Sequence, residues 1–169
     1  MIKLSSKSKV VLLCFLFIAC TTSNVIYHSF HAVNPKGWEK QDTLHFSIPI
    51  EIEEKLLLEL EVRHLSYYKY RELKLSLCYN LMDSTIIETD SLCITLANDK
   101  GRWNGIGIGS IYQLKDTLLI TDVPAPGNYQ IEISHLMQEE TLSGIHDIGV
   151  KITSLQSSSL RSINSQKDK

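Results

Sequence analysis

A cysteine close to the N-terminus lies in a sequence that predicts its covalent modification. The residues Phe17-Ile18-Ala19-Cys20 have the form of a lipobox, in which a small residue directly precedes the cysteine. We expect the Cys20 thiol to receive a diacylglycerol, the chain to be cut before it, and the new amine to be acylated. Two or three acyl chains give firm membrane anchoring where one is marginal. Cys14 is the weaker candidate because the bulky Leu13 precedes it.

The residues before Cys20 have the pattern of a secretory signal peptide. Three lysines lie within the first nine residues, and residues 10–19 form a continuous apolar run. This run is too short to cross a bilayer, which requires about 20 apolar residues. A basic flank followed by a short apolar core is typical of export signals. We predict a cleaved signal peptide at 1–19; an ordinary secreted protein or an uncleaved anchor are the alternatives.

Two further cysteines remain in the mature chain. Cys78 and Cys93 lie on the more polar side of successive predicted strands. An antiparallel hairpin could bring the two thiols together, and an exported protein meets an oxidising compartment. The register of a hairpin does not follow from its sequence alone. Two free thiols are therefore the favoured state, with a disulfide between Cys78 and Cys93 as the alternative.

Four aspartates each precede a hydroxyl residue, in a pattern that resembles an O-glycosylation sequence of exported bacterial proteins. Asp-Ser and Asp-Thr pairs also suit turns and strand entries, because their side chains bond to nearby backbone groups. Both interpretations stay open for the four hydroxyl residues, which are Thr43, Ser84, Ser91 and Thr117.

No constellation of catalytic or metal-binding residues is evident. The six histidines are scattered, and His28 and His31 are three residues apart, which on a strand places them on opposite faces. Gly105-Ile-Gly-Ile-Gly109 lacks the helix that a phosphate loop requires. We expect there either a strand whose backbone closely approaches a bulky group or an edge strand with bulges. We predict a protein without enzymatic activity, metal or cofactor, other than the covalent lipid. An aromatic platform for sugar rings, formed by Trp38, Trp103, Tyr67, Tyr68 and Tyr70, is the alternative.

The charge of the mature chain argues against two classes of partner. Removal of residues 1–19 takes away three of the 17 basic residues and none of the 19 acidic ones, which leaves a net charge of −5. Nucleic-acid binding requires a basic surface that displaces counterions from phosphates. Electrostatic attachment to an anionic membrane requires basic residues as well. We therefore expect no nucleic-acid partner and attachment to the membrane through lipid.

Alternation of apolar and polar residues dominates the mature chain and predicts half-buried strands. No long amphipathic helix competes; about two turns are conceivable between Leu136 and Leu142. Many short strands, each with one apolar face, predict an all-β fold of two packed antiparallel sheets, either immunoglobulin-like or jelly-roll-like. We assign this β-sandwich to residues 20–153 and a polar, serine-rich tail to 154–169. The alternating segments are 44–50, 56–62, 73–81, 92–96, 129–133 and 148–152, with 25–30, 106–112 and 118–121 as further candidates.

Several short motifs occur in a specific order along the chain. They are the lipobox Cys20, Tyr27-His28 with Phe30, Gly37-Trp38, Asp42-Thr-Leu-His-Phe46, Val62-Arg63, Tyr67 to Tyr70, Leu96-Ala-Asn-Asp-Lys-Gly-Arg-Trp-Asn-Gly-Ile-Gly107, Gly127-Asn-Tyr129, Met137 and Leu142-Ser-Gly-Ile-His-Asp-Ile-Gly-Val150. In this order and spacing they resemble the GldH family of gliding motility lipoproteins from Bacteroidetes. The resemblance covers the chain from about Asn24 to Ile152.

The resemblance implies a non-enzymatic envelope lipoprotein that is tied to the gliding apparatus and to the linked type IX secretion system. Its expected partners are other envelope lipoproteins of that machinery. Family members also occur in species that do not glide. Cys20 is the only residue to which the resemblance assigns a functional role in this chain. No acidic residue follows Cys20 in Thr21-Thr-Ser-Asn24, which favours an outer-membrane protein that faces the periplasm. A glycan- or small-ligand-binding β-sandwich is the alternative function.

Overall fold

The computed structural model describes residues 24–51, 53–81, 85–123 and 125–155, with the side chains of Glu54 and Leu119 excluded. Cys20, the predicted signal peptide and Ser84 lie outside these residues. The described chain is built from strands joined by turns. The strands are β1 (Val25–Ala32), β2 (Trp38–Glu39), β3 (Leu44–Ile50), β4 (Glu54–Leu65), β5 (Glu72–Tyr79), β6 (Glu88–Thr95), β7 (Ile106–Ile108), β8 (Ile111–Val123), β9 (Gly127–His135), β10 (Thr141–Leu142) and β11 (Ile145–Ser154).

Two antiparallel sheets enclose one hydrophobic core. The larger sheet has the order β1-β11-β4-β8-β7, and the smaller one has the order β3-β9-β5-β6. Along each strand, alternate side chains point to the same side. The apolar side chains that point inward from both sheets therefore meet in a single cluster. In this cluster, Leu58 and Val150 of the larger sheet pack with Ile48, Leu75 and Ile131 of the smaller one. The prediction of an all-β fold of packed antiparallel sheets is confirmed.

The pairing of the strands selects the jelly roll from the two predicted architectures. With the short β2, β7 and β10 set aside, the first strand pairs with the last, and the remaining pairs are nested within it. These pairs are β1 with β11, β3 with β9, β4 with β8, and β5 with β6. Successive pairs lie alternately in the larger and in the smaller sheet. A long hairpin folded over on itself in this way is the arrangement of a jelly roll.

The structure corrects three details of the sequence analysis. Residues 106–112 form no single strand, because Gly109, with a φ of 62°, lies with Ser110 in a two-residue turn between β7 and β8. A glycine with positive φ at the first position is what a type II′ hairpin turn requires. No helix forms between Leu136 and Leu142, where β10 instead pairs with β2. The strand β11 ends at Ser154 and Leu155 is buried, so the domain extends past residue 153.

Candidate functional site

The outer side of the five-stranded sheet forms a cavity of about 860 Å³. On β4, the residues that point away from the core are polar, because Glu59, Glu61 and Arg63 alternate with the buried Leu58, Leu60 and Val62. The short hairpin of β7 and β8 borders the cavity on one side. We call this surface the concave face; its principal residues are Glu59, Glu61, Arg63, Ile106, Ile108, Lys115, Asp147 and Lys151.

Three carboxylates and three cations alternate across the middle strands of the concave face. Glu59 lies 2.8 Å from the Nζ of Lys115 and 3.2 Å from that of Lys151. Asp147 lies 3.4 Å from Arg63 on the neighbouring strand. Burial alone would raise the pKa of Glu59, but hydrogen bonds and charge interactions with both lysines outweigh it and lower that pKa. Glu59 is therefore held in its ionised form.

The carboxylates lie beneath the cations. The side chains of Glu59, Glu61 and Asp147 are 8%, 5% and 7% exposed, respectively. The cationic side chains are more accessible, with 52% of Lys115, 33% of Arg63 and 23% of Lys151 exposed. The charges of these six groups cancel, yet the ends that meet solvent are cationic. A binding partner would therefore meet hydrogen-bond donors before acceptors.

Two histidines extend this network toward β1 and the start of β11. His28 Nε2 lies 3.2 Å from a carboxylate oxygen of Glu61, and His146 Nδ1 lies 2.8 Å from a carboxylate oxygen of Asp147. Gln113 donates a second hydrogen bond to Glu61. Each of these carboxylates therefore contacts at least one donor, which orients its side chain. The second oxygen of Asp147, Oδ1, is buried and has no hydrogen-bond partner in the described part of the chain.

A glycine allows an aromatic ring to lie flat against the sheet. The Arg63 guanidinium stacks 3.6 Å from the centroid of the Phe30 ring. A Cβ atom on Gly149, which pairs with Phe30 across β1 and β11, would lie 2.5 Å from that ring. Only glycine permits the ring to stay beneath Arg63. The cation–π contact fixes the guanidinium between Gln113 and Asp147.

The edge of the concave face is apolar and accessible. Ile106 and Ile108 of β7 are 74% and 80% exposed. Their strand lies close to β8 because Gly105 and Gly107 lack side chains: a Cβ on Gly105 would lie 2.1 Å from the carbonyl oxygen of Gln113, and one on Gly107 would lie 2.8 Å from the Tyr112 ring. The predicted close backbone approach at these glycines is confirmed. The two isoleucines are thereby displayed side by side on an edge strand.

The concave face has the features of a binding surface. Its carboxylates contact cations or neutral donors, and the described residues contain no group of three or more His, Cys, Asp or Glu that could hold a metal ion. Paired charges that contact one another across strands fix the polarity of a surface. The exposed apolar edge supplies area that gains free energy when another molecule covers it.

The two tryptophans do not form an exposed platform. Trp38 is 1% exposed and packs edge-on against His135 with a centroid distance of 5.3 Å. Trp103 is half-buried and packs against His64 and Tyr112, at centroid distances of 4.5 and 6.0 Å. Both indole rings therefore contribute to packing, which counts against the sugar platform.

Two buried histidines are held neutral by their surroundings. His64 and His135 are 0% and 1% exposed, respectively. Burial lowers the pKa of both, and the backbone carbonyls of Leu65 and Trp38 that accept their ring N–H groups oppose this only in part. The other ring nitrogen of each is buried and has no hydrogen-bond partner in the described part of the chain.

We expect the protein to lose stability as the pH falls below about 6.5, the ordinary pKa of histidine. The folded-state pKa of His64 and His135 is lowered, so the unfolded chain binds protons first. The stabilisation is therefore complete above that pH and decreases below it. Urea unfolding at about pH 7.5 and about pH 5.5 measures the difference. The variant His64→Phe, which cannot titrate, should show a smaller difference; an equal one would contradict this assignment.

Cys78 and Cys93 lie on β5 and β6 of the smaller sheet, apart from the concave face. Cys78 lies opposite Thr89 and Cys93 opposite Lys74, so the two cysteines are four residue pairs, or about 13 Å, apart along the hairpin. A disulfide cannot span this distance, and both cysteines are free. The disulfide alternative is therefore wrong for this register.

The described glycosylation candidates are accessible to different degrees. Ser91 on the edge strand β6 and Thr117 on β8 are exposed, whereas Thr43, just before β3, is half-buried. Their modification remains a prediction. In the described part of the chain, no helix has the length and hydrophobicity that a membrane crossing requires.

The sequence matches the family of GldH lipoproteins over residues 25–152. The chain belongs to the GldH lipoprotein family. The match begins with the first residue of β1 and ends within β11, so it includes every strand of both sheets. Membership supports a lipid-anchored protein of the cell envelope, as expected from the lipobox predicted at Cys20. No curated protein sequence matches the chain.

Solved structures with a similar arrangement of strands are distant. A family GH115 4-O-methyl-α-glucuronidase with specificity for decorated arabinogalactans is 14% identical, with a TM-score of 0.43 over 78% of this chain and 18% of that one. Dimeric latent PorU from Porphyromonas gingivalis is 12% identical, with a TM-score of 0.35 over 76% and 13%. The protein of T=1 particles derived from infectious bursal virus is 13% identical, with a TM-score of 0.35 over 76% of this chain and 29% of that one. The GldH-family chain spans less than a third of each, and scores this low support no argument.

Proposed function

We propose that this GldH-family protein is a non-enzymatic assembly component of the cell envelope. It is anchored through Cys20 in the outer membrane, faces the periplasm, and serves the gliding motility and type IX secretion machinery by holding other envelope lipoproteins. The family match supports the envelope lipoprotein. The observation that supports a docking role is the exposed isoleucine pair on β7, Ile106 and Ile108, beside a network of paired charges.

A protein partner fits the concave face better than a substrate does. Adjacent exposed apolar side chains with a polar surround are typical of protein interaction sites. The free side of β7 could also accept an added strand, a common way to bind an extended segment. Because the accessible charged groups are Lys115, Arg63 and Lys151, the matching surface of the partner would be apolar at its centre and acidic around it.

The second candidate is a glycan or other small ligand in the same cavity. Its volume of about 860 Å³ is within the range of ligand pockets, roughly 300–1,000 Å³. The burial of Trp38 and the packing of Trp103 remove the expected sugar platform from this candidate. The cavity volume is thus the observation in its favour, and binding partners recovered from cells decide between the two.

We expect the double substitution Ile106→Glu with Ile108→Glu to abolish partner binding without unfolding the protein. Both side chains are largely exposed, so the free energy of unfolding should change by no more than about 0.5 kcal/mol for each substitution, or about 1 kcal/mol for the pair. Two carboxylates in place of apolar side chains should repel an acidic partner surface and remove the buried apolar area. Pull-down of a tagged lipoprotein from cross-linked outer membranes, with secretion and colony spreading in parallel, measures the effect.

Ile87→Glu is the matched control. Ile87 is 76% exposed just before β6, on the other sheet, and its substitution should leave partner recovery, secretion and spreading unchanged. Equal losses in the control and in the double variant would show that the β7 edge has no special role. Recovery of glycan-handling proteins alone would favour the second candidate.

A further inference from the structure

Strand β8 has a long edge that no other strand of the described residues covers. On one side it pairs with β4 along its length, from Ile111 to Val123. On the other side β7 pairs with residues 111–113 only, and Gly105 lies next to Leu114. Within the described chain, no strand covers that second side from Lys115 to Asp122. Open edges of this length are normally covered in native proteins, because they present unpaired backbone groups.

A bulge lies at the midpoint of the open edge. Thr117 pairs with Glu59 and Leu119 pairs with Leu58, so Leu118 is an extra residue that the ladder skips. Because of the extra residue, the alternation of side chains after the bulge is reversed relative to the alternation before it. As a result, Lys115 and Thr117 before the bulge point to the same outer side of the sheet as Ile120 and Asp122 after it. In a regular strand, odd- and even-numbered residues would point to opposite sides.

The bulge makes the open edge self-complementary. If two copies of β8 pair antiparallel about a two-fold axis through Leu118 and Leu119, then Thr117 lies opposite Ile120 of the second copy. In the same register, Lys115 lies opposite Asp122 of the second copy, and both point to the outer side. The two charged side chains are accessible, with 52% of Lys115 and 79% of Asp122 exposed. Opposite charges directly across an antiparallel pair stabilise it.

The neighbouring charges continue this complementarity. Within one chain, Lys55 lies 3.6 Å from Asp122, and Lys115 lies 2.8 Å from Glu59. Across the two-fold axis, the signs would alternate from Lys55 to Asp122, then to Lys115 and Glu59 of the second copy. The half-exposed Ile120, at 37%, would be covered by the added strand.

We propose that this chain forms a symmetric dimer in which the open edges of two β8 strands pair antiparallel across the bulge. The pairing joins two five-stranded sheets into a continuous one. A two-fold axis perpendicular to a sheet keeps both copies facing the same way, so the two concave faces lie side by side. Each dimer presents two isoleucine edges on one surface, which suits an envelope component that holds more than one partner.

Disulfide trapping in isolated membranes tests this register with the full lipoprotein. In a chain with Cys78→Ser and Cys93→Ser, the pair Thr117→Cys and Ile120→Cys should give, on oxidation, a disulfide-linked dimer with twice the mass of the processed lipoprotein. The control pair Thr117→Cys and Asp122→Cys points to the same side of the sheet but is out of register by two residues. It should trap at most about a tenth as much dimer, because the Cα atoms would be too far apart.

Charge reversal provides a second test that does not depend on cysteine chemistry. Lys115→Glu alone and Asp122→Lys alone place like charges opposite each other at two positions, and each should weaken dimerisation about tenfold in sedimentation of the detergent-solubilised lipoprotein. The two changes together should restore dimerisation to within about threefold of the parent. Thermal unfolding reports separately on the lost contacts with Glu59 and Lys55.

Each outcome bears on the dimer. Trapping in register, with rescue by the double charge reversal, supports it. The dimer proposal would be overturned by equal trapping with both cysteine pairs, by no trapping with either, or by a monomer in sedimentation. The alternative would then be that the open edge of β8 binds a strand of another protein. Loss of the dimer with partner recovery intact would leave the proposed function standing.

Discussion

Alanine in place of Cys20 is expected to remove all fatty-acid label from the protein. The thiol is the only group of the predicted lipobox that can form the thioether to diacylglycerol, and cleavage before residue 20 depends on that step. We therefore expect the Cys20→Ala chain to retain residues 1–19 and to run as the unprocessed precursor. Metabolic labelling with a radioactive fatty acid, followed by immunoprecipitation and mass measurement of the N-terminus, tests both expectations.

Cys14→Ala is the control for this experiment. Cys14 lies in the same apolar run but follows the bulky Leu13, so its replacement should leave both label and processing unchanged. Undiminished label on the Cys20→Ala chain would contradict lipid anchoring at this residue. Loss of label in both variants would instead indicate that the signal sequence itself fails.

Replacement of Gly105 by alanine is expected to detach β7 from β8 and to destabilise the fold by about 2–4 kcal/mol. The new Cβ would lie 2.1 Å from the backbone oxygen of Gln113, and a backbone atom within a sheet cannot move away as the end of a side chain can. The residue also has a φ of 81°, which disfavours any side chain. Overpacking of this kind typically costs about 1–3 kcal/mol before the backbone strain is added.

Gly101→Ala separates the clash from the strain. Gly101 has a similar φ of 74°, but a Cβ there would meet nothing within 4 Å. We expect this variant to lose only about 1–2 kcal/mol, the cost of a left-handed conformation for a residue with a side chain. Denaturant unfolding gives both values. A loss for Gly105→Ala no larger than that for Gly101→Ala would show that β7 does not depend on the close approach.

The sheets were predictable because their signal is local. Buried and exposed side chains alternate in β3, β5 and β9 as the pattern of the sequence predicts. The choice between an immunoglobulin-like and a jelly-roll-like sandwich was not predictable, because it depends on which distant strands pair. The pairing of β4 with β8 is nested within the pairing of β1 with β11. The spacing of apolar residues along the sequence does not indicate which of these strands pair.

The concave face illustrates the same limit. The alternation of Glu59, Glu61 and Arg63 with apolar residues is visible in the sequence and places these charges outside the core. Their partners lie on other strands, and the pairs of Arg63 with Asp147 and of Glu59 with Lys151 appear only when the register of β4 and β11 is known. A shift of one residue would place apolar side chains opposite these charges.

Several of the motifs on which the family resemblance rests meet on this face. His28 and Phe30 come from β1, Arg63 comes from β4, and Gly149 comes from β11. Gly149 leaves room for the Phe30 ring, and that ring supports the Arg63 guanidinium. Residues that are far apart in the sequence are therefore in direct contact here, and each of them positions the next.

The central claim is that the concave face and its isoleucine edge hold envelope proteins of the motility and secretion machinery. Photo-crosslinking in intact cells from a photoreactive residue in place of Ile108, with mass spectrometry of the products, tests it most directly; the same residue in place of Ile87 is the comparison. We expect position 108, and not position 87, to capture outer-membrane lipoproteins of that machinery. Capture at neither position, or the same products at both, would contradict the account.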